Sequence, residues 1–395
     1  MKVYTEDTKI PIKMWLDDLE EGALDQAKNL ANLPFAFKHI AMMPDAHQGY
    51  GMPIGTVLAT KDVIIPNGVG VDIGCGMAYV STNIHKDILT KDDYQNLVGN
   101  IMRNIPVGFN HHQKRQTSEV LDVATYRVEA LNYGQELIPE IDKAYTSIGT
   151  LGGGNHFIEI QEDEDGFLSI MLHSGSRNLG LQIAKYFNNI AKDLNTKWFS
   201  EVKSDIDLAF LPANSDEGKA YIEWMNLALD FARESRSQML HVIISILEKK
   251  VPSAVFTMPL NVHHNYVAIE NHFGQNVWVH RKGAIKVREG QLGIIPGAMG
   301  SSSYIVSGLG NPMSFDSCSH GAGRRMGRKE STRQFSVEAT MLDLKNKGVI
   351  LGKNGKGNVT EECIWAYKDV DTVIENQLDL ITPIKKLKTV VVVKG

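Results

Sequence analysis

Met43-Pro-Asp-Ala-His-Gln-Gly-Tyr-Gly-Met-Pro-Ile-Gly55 and, shortly after it, Gly68-Val-Gly-Val-Asp-Ile-Gly-Cys-Gly-Met77 are the stretches on which a reading of the architecture turns. A dinucleotide fold needs Gly-x-Gly-x-x-Gly between a strand and a helix, and the spacing of Gly49, Gly51 and Gly55 does not supply it. A Rossmann sheet is therefore rejected. In the second stretch Asp72 and Cys75 stand three residues apart in a glycine-bracketed turn. A carboxylate and a thiol so placed can converge on one ion, and a thiolate can bridge two. Taken alone, Cys75 reads more readily as a small buried hydrophobe.

Outward from these blocks, glycine clusters recur at 149–156, 293–300 and 320–327, each beside histidine, aspartate or cysteine or close to one. Such loops let backbone approach a ligand. Between them, Tyr221, Trp224, Ala228, Phe231, Met239, Val242 and Ile246 recur at helical spacing, which predicts one long helix or a helical hairpin over 216–250. Further helices are expected over 18–33, 118–138 and 180–194. Strands are expected at 56–59, 63–65, 77–81, 157–160, 277–280, 304–306 and 389–393. No repeat, Pro/Ser linker or low-complexity tract marks a boundary, so one site assembled from the whole chain fits better than two modules.

Composition narrows the function classes. At 395 residues the chain can bury a large core, and 41 basic against 46 acidic residues give a formal charge of -5. A polyanion would have to meet a local basic patch, with Lys114, Arg115, Lys282, Lys286 and Arg288 as candidates. The longest apolar runs, such as 242–244 and 390–393, are far too short to span a bilayer, and no signal-peptide pattern opens the chain. A soluble, cytoplasmic protein with no membrane partner is expected. Three cysteines, Cys75, Cys318 and Cys363, cannot form a disulfide framework.

Three more blocks add donors to Asp72 and Cys75. Gly149-Thr-Leu-Gly-Gly-Gly-Asn-His-Phe-Ile-Glu159 carries His156, Met171-Leu-His-Ser-Gly-Ser-Arg177 carries His173 after an apolar strand, and Val262-His-His-Asn-Tyr266 offers His264. Together the five residues have the mixed sulfur, nitrogen and oxygen donors of a transition-metal site, and two ions sharing Cys75 are plausible. No Cys-x-x-Cys pair and no His-Glu-x-x-His helix is present, which disfavours a structural zinc finger and a zincin. Ser319-His-Gly-Ala-Gly-Arg-Arg-Met-Gly-Arg328 sets a histidine in a glycine loop before three arginines, a pattern suited to phosphate. His320 is then a candidate nucleophile at phosphorus, or a phosphate contact with no covalent role.

In order along the chain, Pro-Asp-Ala-His, Gly-Val-Asp-Ile-Gly-Cys-Gly-Met, Gly-Gly-Gly-Asn-His-Phe-Ile-Glu, His-Ser-Gly-Ser-Arg, His-His-Asn-Tyr, Arg-Lys-Gly-Ala, Pro-Gly-Ala-Met-Gly, Ser-His-Gly-Ala-Gly-Arg and the terminal Val-Lys-Gly resemble the signature blocks of the RtcB family of RNA-splicing ligases. The resemblance runs from about residue 35 to the C-terminus. It implies an α+β fold, a single large domain over 1–395 with central antiparallel sheets flanked by helices. It also implies a ligase, dependent on two Mn2+ ions and GTP, that joins an RNA 3'-phosphate or 2',3'-cyclic phosphate to a 5'-hydroxyl in splicing or repair. The route runs through a histidine-GMP intermediate and a 3'-pp-5'-G activated RNA. By the same resemblance Cys75 is the thiolate shared by two ions, with Asp72 and His156 on one ion and His173 and His264 on the other. His320 matches the guanylylated histidine and Asp45 the acid beside it. Asn155, Arg177, Asn265, Arg324 and Arg328 match phosphate-handling positions, and Glu159, Tyr367 and Lys394 the guanine site.

The family's Pro-Gly-Ser-Met-Gly block is Pro296-Gly-Ala-Met-Gly here, so Ala298 offers no hydroxyl to a nucleotide. His39, His85, His111, His112, His241, His263, His272 and His280 match no functional position and read as structural. A monomer is expected, with room for an activator protein. A binuclear metallo-phosphohydrolase is the rival reading that the five donors alone support equally well, though it leaves the His320 loop unexplained. A non-catalytic metal- or RNA-binding module would not need a thiolate, a carboxylate and a histidine nucleophile together.

Overall fold

The computed structural model describes residues 1–353 and 359–395. The 216–250 pattern forms one helix, Asp216–Lys250, of 35 residues. Ser215 caps it by accepting the Gly218 N–H at 3.1 Å, Asp216 and Glu217 sit at the positive end of the dipole, and Lys249 and Lys250 sit at the negative end. Its buried stripe serves two cores. Tyr221, Trp224, Ala228 and Phe231 pack with the helices Glu119–Val128, Ile138–Ser147 and Arg177–Lys197, while Met239, Leu240, Ile243 and Leu247 pack under a β-sheet. Between these halves lies a fully buried charged residue, Arg236.

The helix expected over 118–138 is a correction. It ends as Glu119–Val128 and resumes at Gln135. Gly134 lies between with φ +92°, and a Cβ there would stand 2.1 Å from Trp224 Nε1. Only glycine allows the chain to turn against that indole. The other expected helices form as Glu21–Ala31 and Arg177–Lys197.

Two sheets carry the site. The first runs Lys2–Tyr4, Ile12–Met14, Ala36–Tyr50, Met52–Thr60, Gln275–Lys282, Asn265–His272. The second runs Phe256–His263, Gly76–His85, Phe167–Ser174, Phe157–Glu162, Ile381–Lys394, Ser302–Gly308, Leu292–Ile295, with Ile350–Lys353 added alongside Ile381–Lys394. Apart from the pairs Ile12–Met14 with Ala36–Tyr50 and Ile350–Lys353 with Ile381–Lys394, neighbouring strands run antiparallel. The architecture is α+β, antiparallel sheets flanked by helices. No helix among the described residues is long and apolar enough to cross a membrane.

The stretch 44–55, read as a glycine loop, is instead largely strand. Ala36–Tyr50 pairs with Met52–Thr60, and the register slips between Met42 and His47 and again between His47 and Tyr50. The first of these bulges takes Asp45 out of the regular ladder, while His47 stays paired with Ile54. Gly55, at φ +77°, faces the first bulge, where a Cβ would meet the Ala46 Cα at 2.6 Å.

Candidate active site

Pairing register explains why donors far apart in sequence meet. In the second sheet Gly76 faces both His263 and Ser174, while His173 faces Met77 and Phe157. Cys75, His156, His173 and His264 therefore all lie at the same margin of neighbouring strands, and the His264 N–H donates to the Cys75 carbonyl at 2.9 Å. Asp72 joins them because its carbonyl accepts the Cys75 N–H at 3.1 Å, which closes the turn.

Cys75 Sγ lies 3.1 Å from His173 Nε2 and 3.5 Å from His156 Nε2. His156 Nε2 is 3.1 Å from Asp72 Oδ2, and His173 Nε2 is 3.4 Å from His264 Nε2. Two sets of donors result, Asp72/Cys75/His156 and Cys75/His173/His264, each with its ligand atoms within 4.8 Å of one another. Backbone carbonyls orient two of the rings: His156 Nδ1 faces Leu151 O at 3.1 Å and His173 Nδ1 faces Asn155 O at 3.2 Å. With Nδ1 protonated, Nε2 presents its lone pair to the cluster. Burial holds His173 and His264 well below the usual histidine range, so both are neutral donors. Burial opposes ionisation of Asp72, but the bonds to His156 and Cys75 and the nearby imidazoles together outweigh it and keep the carboxyl below its ordinary value.

A cleft opens beside the cluster. His173 and His320 line it together with Asn155, Glu159, Arg324, Arg328, Tyr367 and Lys394. The His320 ring packs edge-on against His264 with centroids 4.7 Å apart. Asp45 Oδ2 accepts the backbone N–H groups of His320 and Gly321 at 3.1 and 3.2 Å. It also lies 2.7 Å from His320 Nδ1, at an angle outside hydrogen-bond alignment. With Nδ1 turned to Asp45, Nε2 is the nitrogen available to the cleft.

Arg177 and Asn265 do not line the cleft. Arg177 stands on the Asp72 and Cys75 side of the cluster, held by Thr150 Oγ1 at 3.2 Å and Gly108 O at 3.1 Å. The Asn265 amide bridges Asp72 O and the Gly283 N–H. Ala298 lines the cleft with a methyl group, as its sequence departure implies. Lys394 is no frayed tail: Ile381–Lys394 is a sheet strand whose last residue pairs with Phe157, and the ammonium is buried 3.4 Å from Glu362 Oε2.

Glu362 was not legible in any motif. Its carboxylate accepts Tyr367 OH at 2.6 Å and Arg324 Nη1 at 3.3 Å, with Arg328 Nε at 3.6 Å, so four of the cleft residues converge on it. Despite burial, Lys394 and the Tyr367 bond hold it below the ordinary carboxylate value. Glu159 behaves oppositely: burial raises it to about 7, against hydrogen bonds from Gln161 and Thr389. His47, passed over as part of a glycine block, also lines the cleft, and burial lowers it to about 4.

The surface reading of Lys282 is corrected. Its ammonium is buried, donates to Asn67 O at 3.2 Å, and falls to about 7 through burial. Lys286 is drawn to buried Glu270 at 3.1 Å, and Arg115 pairs with Asp142 and packs over the Tyr145 ring. Of the histidines read as structural, His280 accepts the Ile65 N–H at 3.0 Å and His39 stacks on Phe315 at 4.6 Å. Cys318 and Cys363 are buried and free.

Residues 26–395 match the family model described as tRNA-splicing ligase RtcB. The chain is 39% identical to the RNA-splicing ligase RtcB of Escherichia coli K12, covering 98% of this chain and 97% of that protein. It is 32% identical to the tRNA-splicing ligase RtcB of Methanococcus maripaludis, over 99% and 96% of the two. With RNA-splicing ligase RtcB homolog 1 of Entamoeba histolytica it shares 32% identity, over 94% and 83%.

Proposed function

The chain belongs to the RtcB family of RNA-splicing ligases, and on that premise we propose that it joins RNA ends bearing a 3'-phosphate or 2',3'-cyclic phosphate to a 5'-hydroxyl, using GTP and two Mn2+ ions. The observation that carries this reading is the position of His320, beside Asp45 at the junction of the donor cluster and a cleft lined by Arg324 and Arg328. A phosphohydrolase accounts for the cluster but leaves the glycine- and arginine-rich His320 loop unexplained.

The donor set fits a pair of transition-metal ions: two groups of three share one sulfur, and two of the rings are tethered through Nδ1. Asp72 and His156 would hold one ion, His173 and His264 the other, and Cys75 both. Bound there, the ions neutralise phosphate charge and so lower the barrier to attack at phosphorus. The residues act in a definite order. Asp45, 2.7 Å from His320 Nδ1, keeps that nitrogen turned from the cleft, and Nε2 attacks the α-phosphorus of GTP as the bond to the β-phosphate oxygen breaks and pyrophosphate leaves. An RNA 3'-phosphate oxygen then attacks the histidine-linked phosphorus, the P–N bond breaks, and the end becomes 3'-pp-5'-G. Attack by the 5'-hydroxyl on the RNA phosphorus expels GMP and leaves the phosphodiester. A cyclic phosphate is first opened by water. Arg324, Arg328, Asn155, Arg177 and Asn265 would steady phosphoryl oxygens, with Arg177 and Asn265 on the cluster side. We assign these steps to one catalytic domain acting as a monomer in the cytoplasm. Two labelled RNA strands with 3'-phosphate and 5'-hydroxyl ends, incubated with GTP and Mn2+, should yield one joined product. Phosphate release without joining would favour the hydrolase.

Lys394 and Glu159 are proposed to read guanine. Guanine presents a carbonyl acceptor where adenine presents an amine donor, so a buried ammonium favours GTP over ATP. Lys394→Ala should lower guanylylation about tenfold to a hundredfold and narrow the GTP-to-ATP preference, while Mn2+ binding is retained. Unchanged preference with only a lower Tm would make the chain end structural. Glu159 must be ionised to accept from two guanine N–H groups, and its carboxyl titrates at about 7. GTP affinity should therefore rise as pH increases through that value and lose this dependence in Glu159→Gln. A flat wild-type profile between pH 6 and 8, read by calorimetry, would remove Glu159 from recognition.

A further inference from the structure

Arg236 is wholly buried in the long helix, between its two cores, and of the four residues its guanidinium meets among the described residues three adjoin the donor cluster in sequence. Nη1 donates to Gly74 O at 2.9 Å and to Ser174 O at 2.8 Å. Nη2 lies 3.1 Å from His263 Nδ1, and Nε donates to Asn261 Oδ1 at 2.8 Å. Gly74 precedes Cys75, Ser174 follows His173, and His263 precedes His264. One planar guanidinium thus grips a residue adjacent to each member of the Cys75/His173/His264 set, on three separate segments of chain. His263 Nδ1 also lies 3.0 Å from Gly74 O, so its tautomer decides whether that nitrogen accepts from Arg236 or donates to the carbonyl that Arg236 already holds.

We propose that Arg236 is a positioning residue that sets the spacing of Cys75, His173 and His264, so that the site for the second ion is formed before the ion arrives. The inference rests on the metal-binding reading above. A rigid fork with fixed N–H directions can hold three segments of chain in place, whereas a lysine ammonium at the end of a flexible stem cannot reach the same four partners. The long helix is thereby the part that sets the site, although none of its side chains is among the five donors.

The test uses the full chain and Mn2+ alone, with bound and free ion counted by electron paramagnetic resonance. Wild type should take up two ions, and Arg236→Lys should weaken the ion assigned to His173 and His264 about 10- to 100-fold, the range seen when partners that orient metal ligands are removed. In a His264→Ala background, already lacking that ion, Arg236→Lys should change Mn2+ binding little further. Equal Mn2+ binding by wild type and Arg236→Lys overturns the proposal. So does an undiminished Arg236→Lys effect in the His264→Ala background, because that marks general loosening. If Arg236→Lys does not fold, Asn261→Ala replaces it: it frees one arm of the fork and should weaken the same ion severalfold, and unchanged Mn2+ binding there counts against the proposal. Wild-type protein that binds no Mn2+ would sink the metal-binding reading itself, and this inference with it.

Discussion

His320→Ala will abolish attachment of GMP to the protein and still seal RNA that already carries a 3'-pp-5'-G end. The imidazole is the group proposed to form the P–N bond, and Asp45 has no second nucleophile to orient, so guanylylation should fall by about a thousandfold or more. Sealing of pre-activated RNA uses only attack by the 5'-hydroxyl with GMP leaving. His320 is also outside both donor sets, so Mn2+ uptake should persist even though the ring packs 4.7 Å from His264. If the variant cannot use pre-activated RNA, His320 does more than carry GMP.

Cys75→Ser should produce the largest loss of metal. Cys75 is the one residue common to both donor sets, so its removal damages both sites, whereas His173→Ala strips a ligand from one. Burial and the charge of Asp72 push the thiol well above its ordinary value, so the sulfur becomes an anion only when a cation takes the proton's place. A serine hydroxyl resists that exchange far more strongly. Mn2+ affinity at both sites should drop at least about 100-fold, given that losing a mere supporting partner costs ten- to a hundredfold. Full occupancy and normal guanylylation in Cys75→Ser would remove the shared-ligand hypothesis, and equal loss of both ions in His173→Ala would contradict the division of ligands.

The sequence made the donors legible because each ends a recognisable block: Cys75 in a glycine turn, His156 after a glycine run, His173 at the end of an apolar strand. What it could not show was their pairing register, which depends on strands from residues 76, 157, 167 and 256 onward meeting side by side. Local composition also misled. Pro44, Asp45, Gly49 and Gly51 look like loop residues, yet bulges let a strand carry most of them, and the bulge is what delivers Asp45 to His320. Gly134 broke an expected helix because the indole of Trp224, ninety residues later, leaves room for nothing larger. Glu362 and Arg236 escaped notice for a common reason. A charged residue in a short 3-10 segment or a long amphipathic helix resembles solvated surface until its distant partners are known.

The central claim is that His320 carries GMP. Wild-type protein incubated with GTP and Mn2+, then analysed by intact mass and peptide mapping at alkaline pH, should show a single GMP adduct on the peptide containing Ser319 to Arg324, located at His320, stable to alkali and released by acid. No adduct, or an adduct on a lysine or on another histidine, would contradict the account.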